Sequence, residues 1–235
     1  KTNPLKFEEH FGVAYEFAYT QFNLKTTTTR PSNSFGGINY AALDKKSGCR
    51  EAFIPSNDFL LEVDISAYHP TLAAQLVNYD FGEGDIHQAF ADMYGVDYKK
   101  AKELTFKQLY GGVFKEYKDL EFFKRVEKYI EDISSKEEFV CKSGYVFKTD
   151  MKKQKLFNYI LQNTETYYNV LILEKIIKIL KHCKTNIIHY TYDSFLLDVD
   201  KDEKDVVLSI LNVFEEYGFS TKVEAGRNYN SLERI

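Results

Sequence analysis

Two carboxylates draw attention by their position between or after apolar runs. "DFLLEVD" (58–64) is an apolar stretch that ends in Asp64, and in "NIIHYTYDSFLLDVD" Asp193 separates two apolar stretches. Asp and Ser are ordinary turn formers, so Asp193 reads first as the turn of a β-hairpin. If the strands carrying Asp64 and Asp193 are neighbours in one sheet, both carboxylates leave it at the same edge. Two hard oxygen ligands converging there can hold Mg²⁺, which prefers carboxylates, water and phosphate oxygens. Paired metals in such a site activate an attacking oxygen and stabilise a leaving one during phosphoryl transfer. Acids at strand ends occur in any α+β protein, so the pair needs support from elsewhere in the chain.

"YKKAKELTFKQLYGG" supplies some. Tyr98, Lys102, Phe106 and Tyr110 recur every four residues and form one slowly drifting stripe on a helix. A half-buried helix with Lys102 snorkelling to water is one reading. The other places the ammonium on a triphosphate and the rings against a base, Lys being a common phosphate binder. Gly111 and Gly112, directly after Tyr110, permit close approach of a nucleic-acid strand to the backbone. Asp85 reads as the cap of a helix starting near Ile86, which puts His87 in its first turn. Tyr68 is a core aromatic or a ligand-facing ring. Lys152, Lys153 and Lys155 read as a solvated face or a duplex-phosphate contact. Asp198, Asp200, Asp202 and Asp205 read as a solvated strand end and helix start, with no metal assigned.

These residues need elements to position them. Residues 1–25 form an aromatic-rich lead-in without a strict period, and 26–37 form a polar loop. A strand over 58–64 is followed by a helix with Pro70 in its first turn. Further helical blocks cover about 86–94, 99–114 and 116–138, then comes a short strand or turn at "GYVFKT". A long helix runs from 152 to about 182, amphipathic in its second half. Two strands flank Asp193, and a helix over 204–217 and the strand "STKVEAG" close the chain. Strands scattered among helices, with a late hairpin, predict an α+β sheet backed by helices.

Composition bounds the rest. The chain has 235 residues, 44% hydrophobic and 28% charged, enough for one sizeable core with a subdomain attached. There is no Trp, but 18 Tyr and 19 Phe supply flat rings for a core or for stacking on bases. The net charge of −4 argues against a general polyanion binder, so any nucleic-acid contact comes from local patches. Cys49, Cys141 and Cys183 are far apart, lack zinc-ligand spacing and suggest no disulfide framework, which points to a reducing, cytoplasmic compartment. No apolar run approaches membrane-spanning length, and no membrane role is expected. The first residue is Lys rather than Met, consistent with a piece of a longer chain.

Read in order, seven segments resemble the family A DNA polymerases, whose type is bacterial DNA polymerase I. "TTTTRPSNSFGGIN" resembles the family's Thr-Gly-Arg segment and its Asn-Ile element. "GCREAFIPSNDFLLEVDISAYHPTLAAQL" resembles motif A with its preceding Arg-x-Ala-Phe, and "GDIHQAFADMYG" the Asp-Ile-His stretch. "KELTFKQLYGG" resembles motif B and "NYILQNTETYY" the Asn-x-x-x-Gln-x-Thr element. "HYTYDSFLLDV" stands where motif C carries His-Asp-Glu, and "VEAGRNYNSLE" resembles the terminal Gly-x-Asn-Trp segment. Each segment is short; their order and compatible spacing carry the resemblance through almost the whole chain.

The resemblance implies a polymerase palm, an antiparallel sheet backed by helices, with an inserted helical fingers subdomain. Residues 1–40 would be a lead-in from thumb and palm, 41–79 palm, 80–157 fingers and 158–235 palm. The implied activity is template-directed, Mg²⁺-dependent addition of dNTPs to a primer 3′-hydroxyl, with two ions bound and Mn²⁺ able to substitute. Asp64, Asp193 and Lys102 would be catalytic, with the Ile65 carbonyl an additional metal ligand. His87, Lys102, Phe106, Tyr110, His69 and Tyr68 would meet the nucleotide. Arg30, Asn158, Gln162 and Tyr110 would meet primer–template DNA, Asn158 and Gln162 sharing one helical face.

There are departures from the pattern. The motif A Glu that helps exclude ribonucleotides aligns with His69, next to Tyr68. In motif C, Tyr192 and Ser194 replace His and Glu. Tyr98 stands where motif B usually has an Arg one turn before its Lys, and the span from Tyr110 to Gln162 is short for the family. The single-subunit RNA polymerases, which also carry Asp-Ser in motif C, and a non-catalytic, polymerase-derived DNA-binding subunit remain alternatives; a reverse transcriptase fits less, for want of paired Asp-Asp. A missing thumb or exonuclease region would lie on a longer chain or a partner protein. Richness in Lys, Asn, Ile, Tyr and Phe fits an AT-rich genome, and the divergence fits a phage or mobile element, hence host cytoplasm.

Overall fold

The computed structural model describes residues 1–33 and 37–235. The chain divides into two compact units. The first comprises residues 1–26, 31–66 and 168–235, and the second residues 27–30 and 67–167. Part of the loop expected over 26–37 lies outside the described residues.

The first unit begins with helix α1 (Pro4–Phe11), a regular element inside the stretch expected to be an aperiodic lead-in. Asn3 caps it by accepting from the Lys6 N–H, Pro4 opens the first turn, and Gly12 closes it in a left-handed conformation. Strands β1 (Phe22–Asn23) and β2 (Ser32–Asn33) form a short antiparallel ladder. Strand β3 (Phe59–Ile65) is the middle of the main sheet. The later elements of the unit are β6 (Asn186–Thr191), β7 (Ser194–Val199), α7 (Lys204–Glu216), β8 (Thr221–Gly226) and β9 (Glu233–Arg234). The main sheet is antiparallel throughout, in the order β6-β7-β3-β8-β9.

Both faces of that sheet are covered. Leu60 and Leu196 join Phe7, Tyr40, Phe53 and Tyr229 in one buried cluster. On the α7 side, the Phe195 and Phe214 rings meet edge to face at 5.2 Å. Each fully buried Leu or Phe contributes roughly 1.5–3 kcal/mol, so strand register is set by which face each side chain fills. One irregularity shifts that register. Ile187 pairs with Leu197 and His189 with Leu196, so Ile188 is an extra residue bulged from β6. The bulge turns His189 inward, leaving it 5% exposed, its ring 4.2 Å from that of Tyr40.

The second unit is mainly helical: α2 (Tyr68–Leu76), α3 (Ile86–Tyr94), α4 (Tyr98–Gly111) and α5 (Glu121–Ser134). A β-hairpin follows, β4 (Glu138–Val140) with β5 (Val146–Lys148). Helix α6 (Lys153–Leu180) supplies residues to both units. Phe81, Phe90, Phe122 and Phe123 form an aromatic core, and Ile133, Cys141, Phe147, Leu156 and Ile160 form a second cluster. The helix expected over 116–138 is shorter, because residues 115–120 form turns and Glu138–Val140 pair as a strand. The helix expected over 99–114 stops at Gly111, since Gly112 takes φ 102°.

The expected α+β architecture, an open antiparallel sheet flanked by helices, is what the chain adopts. The cysteines Cys49, Cys141 and Cys183 are all unpaired, and burial pushes the Cys141 thiol up to about 11. Among the described residues no helix is long and apolar enough to cross a membrane.

Candidate active site

In the first unit β3 and β7 pair so that Asp64 lies opposite Ser194, and β6 and β7 are joined by Tyr192 and Asp193 alone. Asp193 is therefore one residue beyond the position facing Asp64. The turn is tight enough that Tyr192 adopts φ 54°, a left-handed conformation that costs a bulky residue roughly 1–2 kcal/mol. Main-chain bonds hold it: the Ile65 N–H donates to the Asp193 carbonyl at 2.8 Å. Asn169 Nδ2 donates to the Tyr192 carbonyl at 2.6 Å. Asp64 is half-buried and Asp193 exposed. Both line a polar cleft of about 260 Å³, together with Tyr40, Arg50, Glu62 and Tyr229.

None of these last four is among the site residues expected from sequence. Glu62 precedes Asp64 by two positions, so strand alternation puts both on one face. Its Oε1 accepts from Ser194 Oγ at 2.6 Å and from the Tyr229 hydroxyl at 3.3 Å. Burial, and next the Glu62 charge, push the Tyr229 hydroxyl up, so it keeps its proton and donates. The Arg50 guanidinium sits over the Tyr229 ring at 4.8 Å, and its Nε donates to the Leu43 carbonyl at 3.0 Å. Alternation in "LLEVD" was the signal for Glu62; nothing local in sequence announces Tyr229.

Of the four acids expected to be solvated at the end of β7 and the start of α7, Asp202 and Asp205 are exposed, but Asp198 and Asp200 are buried. Asp198 is 4% exposed and accepts from the Ser56 and Asn57 N–H groups at 2.8 and 2.9 Å, fastening a turn before β3. Asp200 is 8% exposed and pairs with Lys184 at 3.1 Å. Among the described residues, no group of three or more His, Cys, Asp or Glu side chains is arranged to hold a metal ion.

In the second unit α4 inverts the usual amphipathic pattern. Its buried residues include Thr105 and Gln108, which satisfy each other through Tyr94: Thr105 Oγ1 lies 3.1 Å from the Tyr94 hydroxyl, and Gln108 Nε2 donates to it at 3.1 Å. Its open face carries Tyr98 at 44% exposure, Lys102, Phe106 and Tyr110 at 39%. The Phe106 and Tyr110 rings stack at 5.9 Å and 11°. Exposed rings on a helix whose buried face mixes Thr105 and Gln108 with Ala101 and Leu109 read as a ligand surface rather than as core. Gly111 has open space where a Cβ would point.

His87 is 4% exposed, its ring 5.8 Å from Tyr98 and 6.0 Å from Phe106. Burial, and next the Lys102 charge, lower its basicity. Asp85 caps α3 as expected, accepting from the Gln88 N–H at 2.9 Å.

Behind Tyr110 lies a chain of buried polar groups. Tyr110 Oη is 2.6 Å from His69 Nδ1, and His69 Nε2 is 2.5 Å from Glu165 Oε2. Glu165 Oε1 faces Arg30 Nε at 3.0 Å, and the Tyr68 hydroxyl donates to the Glu165 carbonyl at 3.3 Å. Asn158 Nδ2 donates to the Tyr110 carbonyl at 3.0 Å, and Gln162 Oε1 accepts from Thr28 Oγ1 at 3.1 Å. Arg30, His69, Tyr68, Tyr110, Asn158 and Gln162 thus fall in one region of this unit. Glu165 had no place in the sequence reading; a lone acid inside "QNTETYY", one turn after Gln162, was the available signal.

No protein-family model and no curated protein matches the sequence. The structure is similar to the "POL domain of Pol1 from M. smegmatis complex with DNA primer-template and dNTP", with a TM-score of 0.77 at 15% identity. That likeness covers 90% of this chain and 48% of the other, so the chain spans about half the length of the domain it matches. The chain has a polymerase-like fold, a mixed α/β architecture whose open antiparallel sheet and flanking helices are palm-like.

Proposed function

We propose that the chain is the palm and fingers of a divergent family A-like DNA polymerase that extends a primer on a DNA template. In this reading the palm comprises residues 41–79 and 158–235, the fingers residues 80–157, and residues 1–40 lead in. The observation that carries it is the pairing of β3 with the β6–β7 hairpin, which brings Asp64 and Asp193 to one cleft. The polymerase-like fold and the Lys-and-aromatic face of α4 support it.

The donor set suits magnesium: among the described residues the polar cleft is lined by the carboxylates of Asp64, Asp193 and Glu62, the last already accepting from Ser194 and Tyr229, and by no thiolate or imidazole. Asp64 and Asp193 would hold the ions, with the Ile65 carbonyl as an added ligand, and Mn²⁺ can substitute. Metal ions held there would lower the pKa of the primer hydroxyl and neutralise charge on the leaving pyrophosphate. The protein's own part is positional. Lys102 binds the triphosphate, which orients the α-phosphorus for attack. Phe106 and Tyr110 offer flat surfaces to the base pair, and His87 backs that surface. His69 and Tyr68 would meet the nucleotide on its sugar side, and Arg30, Asn158 and Gln162 would meet the duplex.

Primer extension tests this, with dNTPs or rNTPs, Mg²⁺, and Asp193→Asn beside the wild type. Template-dependent dNTP addition that Asp193→Asn abolishes is the expected result. Extension only with rNTPs assigns an RNA polymerase-like enzyme instead. Binding of primer–template without any extension assigns a non-catalytic DNA-binding subunit.

A further inference from the structure

Glu165 is 1% exposed in the middle of α6. Burying a carboxylate is costly unless its partners repay it, so its reason for being there lies in what it holds. It holds two groups, Arg30 on one oxygen at 3.0 Å and His69 Nε2 on the other at 2.5 Å. A carboxylate only accepts, so Nε2 carries its hydrogen, and Nδ1 is left facing the Tyr110 hydroxyl at 2.6 Å. Tyr110 is therefore fixed at both ends, its carbonyl by Asn158 and its phenol by His69. A ring on an exposed helix face without such bonds changes rotamer freely; this one is tethered.

We infer that Glu165 is a positioning residue for sugar discrimination: through His69 it fixes the Tyr110 ring, and so sets how strongly a 2′-hydroxyl is rejected. The inference rests on the nucleotide-facing reading of α4 given above. A mobile ring yields to one extra hydroxyl, whereas a tethered ring excludes it or leaves it without a partner. The tether runs through a buried acid that the polymerase reading leaves without a role, and the exclusion of ribose by His69 is made to depend on it.

The test uses Glu165→Gln and, separately, Tyr110→Phe, which removes the hydroxyl and leaves the Arg30–Glu165 pair intact. The ratio of kcat/KM for dNTP over rNTP is measured for each, and the His69 ring-nitrogen chemical shifts are read by NMR. Both substitutions are expected to lower the dNTP preference about tenfold, mainly through a lower KM for rNTP. Glu165→Gln is also expected to change the His69 nitrogen pattern. An unchanged pattern in folded Glu165→Gln overturns the tether. A changed pattern with wild-type sugar preference in both variants overturns its role in discrimination. If the wild type extends no primer, the polymerase reading falls and the sugar role with it; the NMR comparison still decides whether Glu165 orders His69.

Discussion

In the sheet cleft, Asp193 is exposed and Asp64 half-buried, and the turn that presents Asp193 is held through its main-chain carbonyls, by the Ile65 N–H and the Asn169 side chain. In the helical unit, Glu165 and His69 are 1% and 7% exposed, and each is held by other side chains. The first arrangement sets carboxylates on a polar cleft, accessible enough to take a cation. The second makes every member necessary to its neighbours. Removing the exposed cleft acid should therefore cost chemistry more than stability, and removing a buried one should cost stability first.

The largest expected effect sharpens the first half of that contrast. If Asp193 holds metal as proposed, Asp193→Asn should slow extension about a thousandfold, while its urea midpoint moves less than that of a buried-acid variant. A matching loss of stability would break the contrast. Next, Glu165→Ala should lose about 3 kcal/mol in urea unfolding, because Arg30 and His69 are left without their buried acceptor; an unchanged midpoint would show the pair to be dispensable.

A third test concerns His189, which sits in the sheet unit yet is buried like Glu165. Neither ring nitrogen makes a hydrogen bond among the described residues, and burial lowers its pKa to about 4. The folded value lies below the unfolded one near 6.5, so the unfolded chain takes up the proton first. Stability is then fully present above about pH 6.5 and falls as pH drops toward 4, by roughly 3 kcal/mol at most. His189→Phe should flatten that part of the pH–stability curve; an unaltered curve would show that other groups cause the acid loss. The smallest effect is on the exposed face of α4: Lys102→Ala should raise nucleotide KM about tenfold with no change in unfolding. An unchanged KM would remove Lys102 from the triphosphate.

What was readable from residues follows the same division. The β3 and β7 strands, the hairpin at Asp193 and the ring stripe of α4 all rest on short-range periodicity, which sequence displays. Helix α1 carried its signals, Asn3 before Pro4 and Gly12 after, but the aromatics around it obscured the period. His189 was hidden because a bulge at Ile188 shifts the inward parity by one, and parity is all that alternation reports. Glu165 was hidden because its partners Arg30 and His69 come from distant segments. A buried charge is defined by company that no local window contains.

The bond from the Ile65 N–H to the Asp193 carbonyl has a consequence for how this turn tolerates change. It joins two main-chain atoms, so no side-chain replacement at position 193 deletes it. Loop shape and loop reactivity are thereby inherited separately, one from the peptide backbone and the other from a single replaceable headgroup. An engineer could exchange that headgroup for another metal-binding donor, or for an inert one, and expect the same platform to present it.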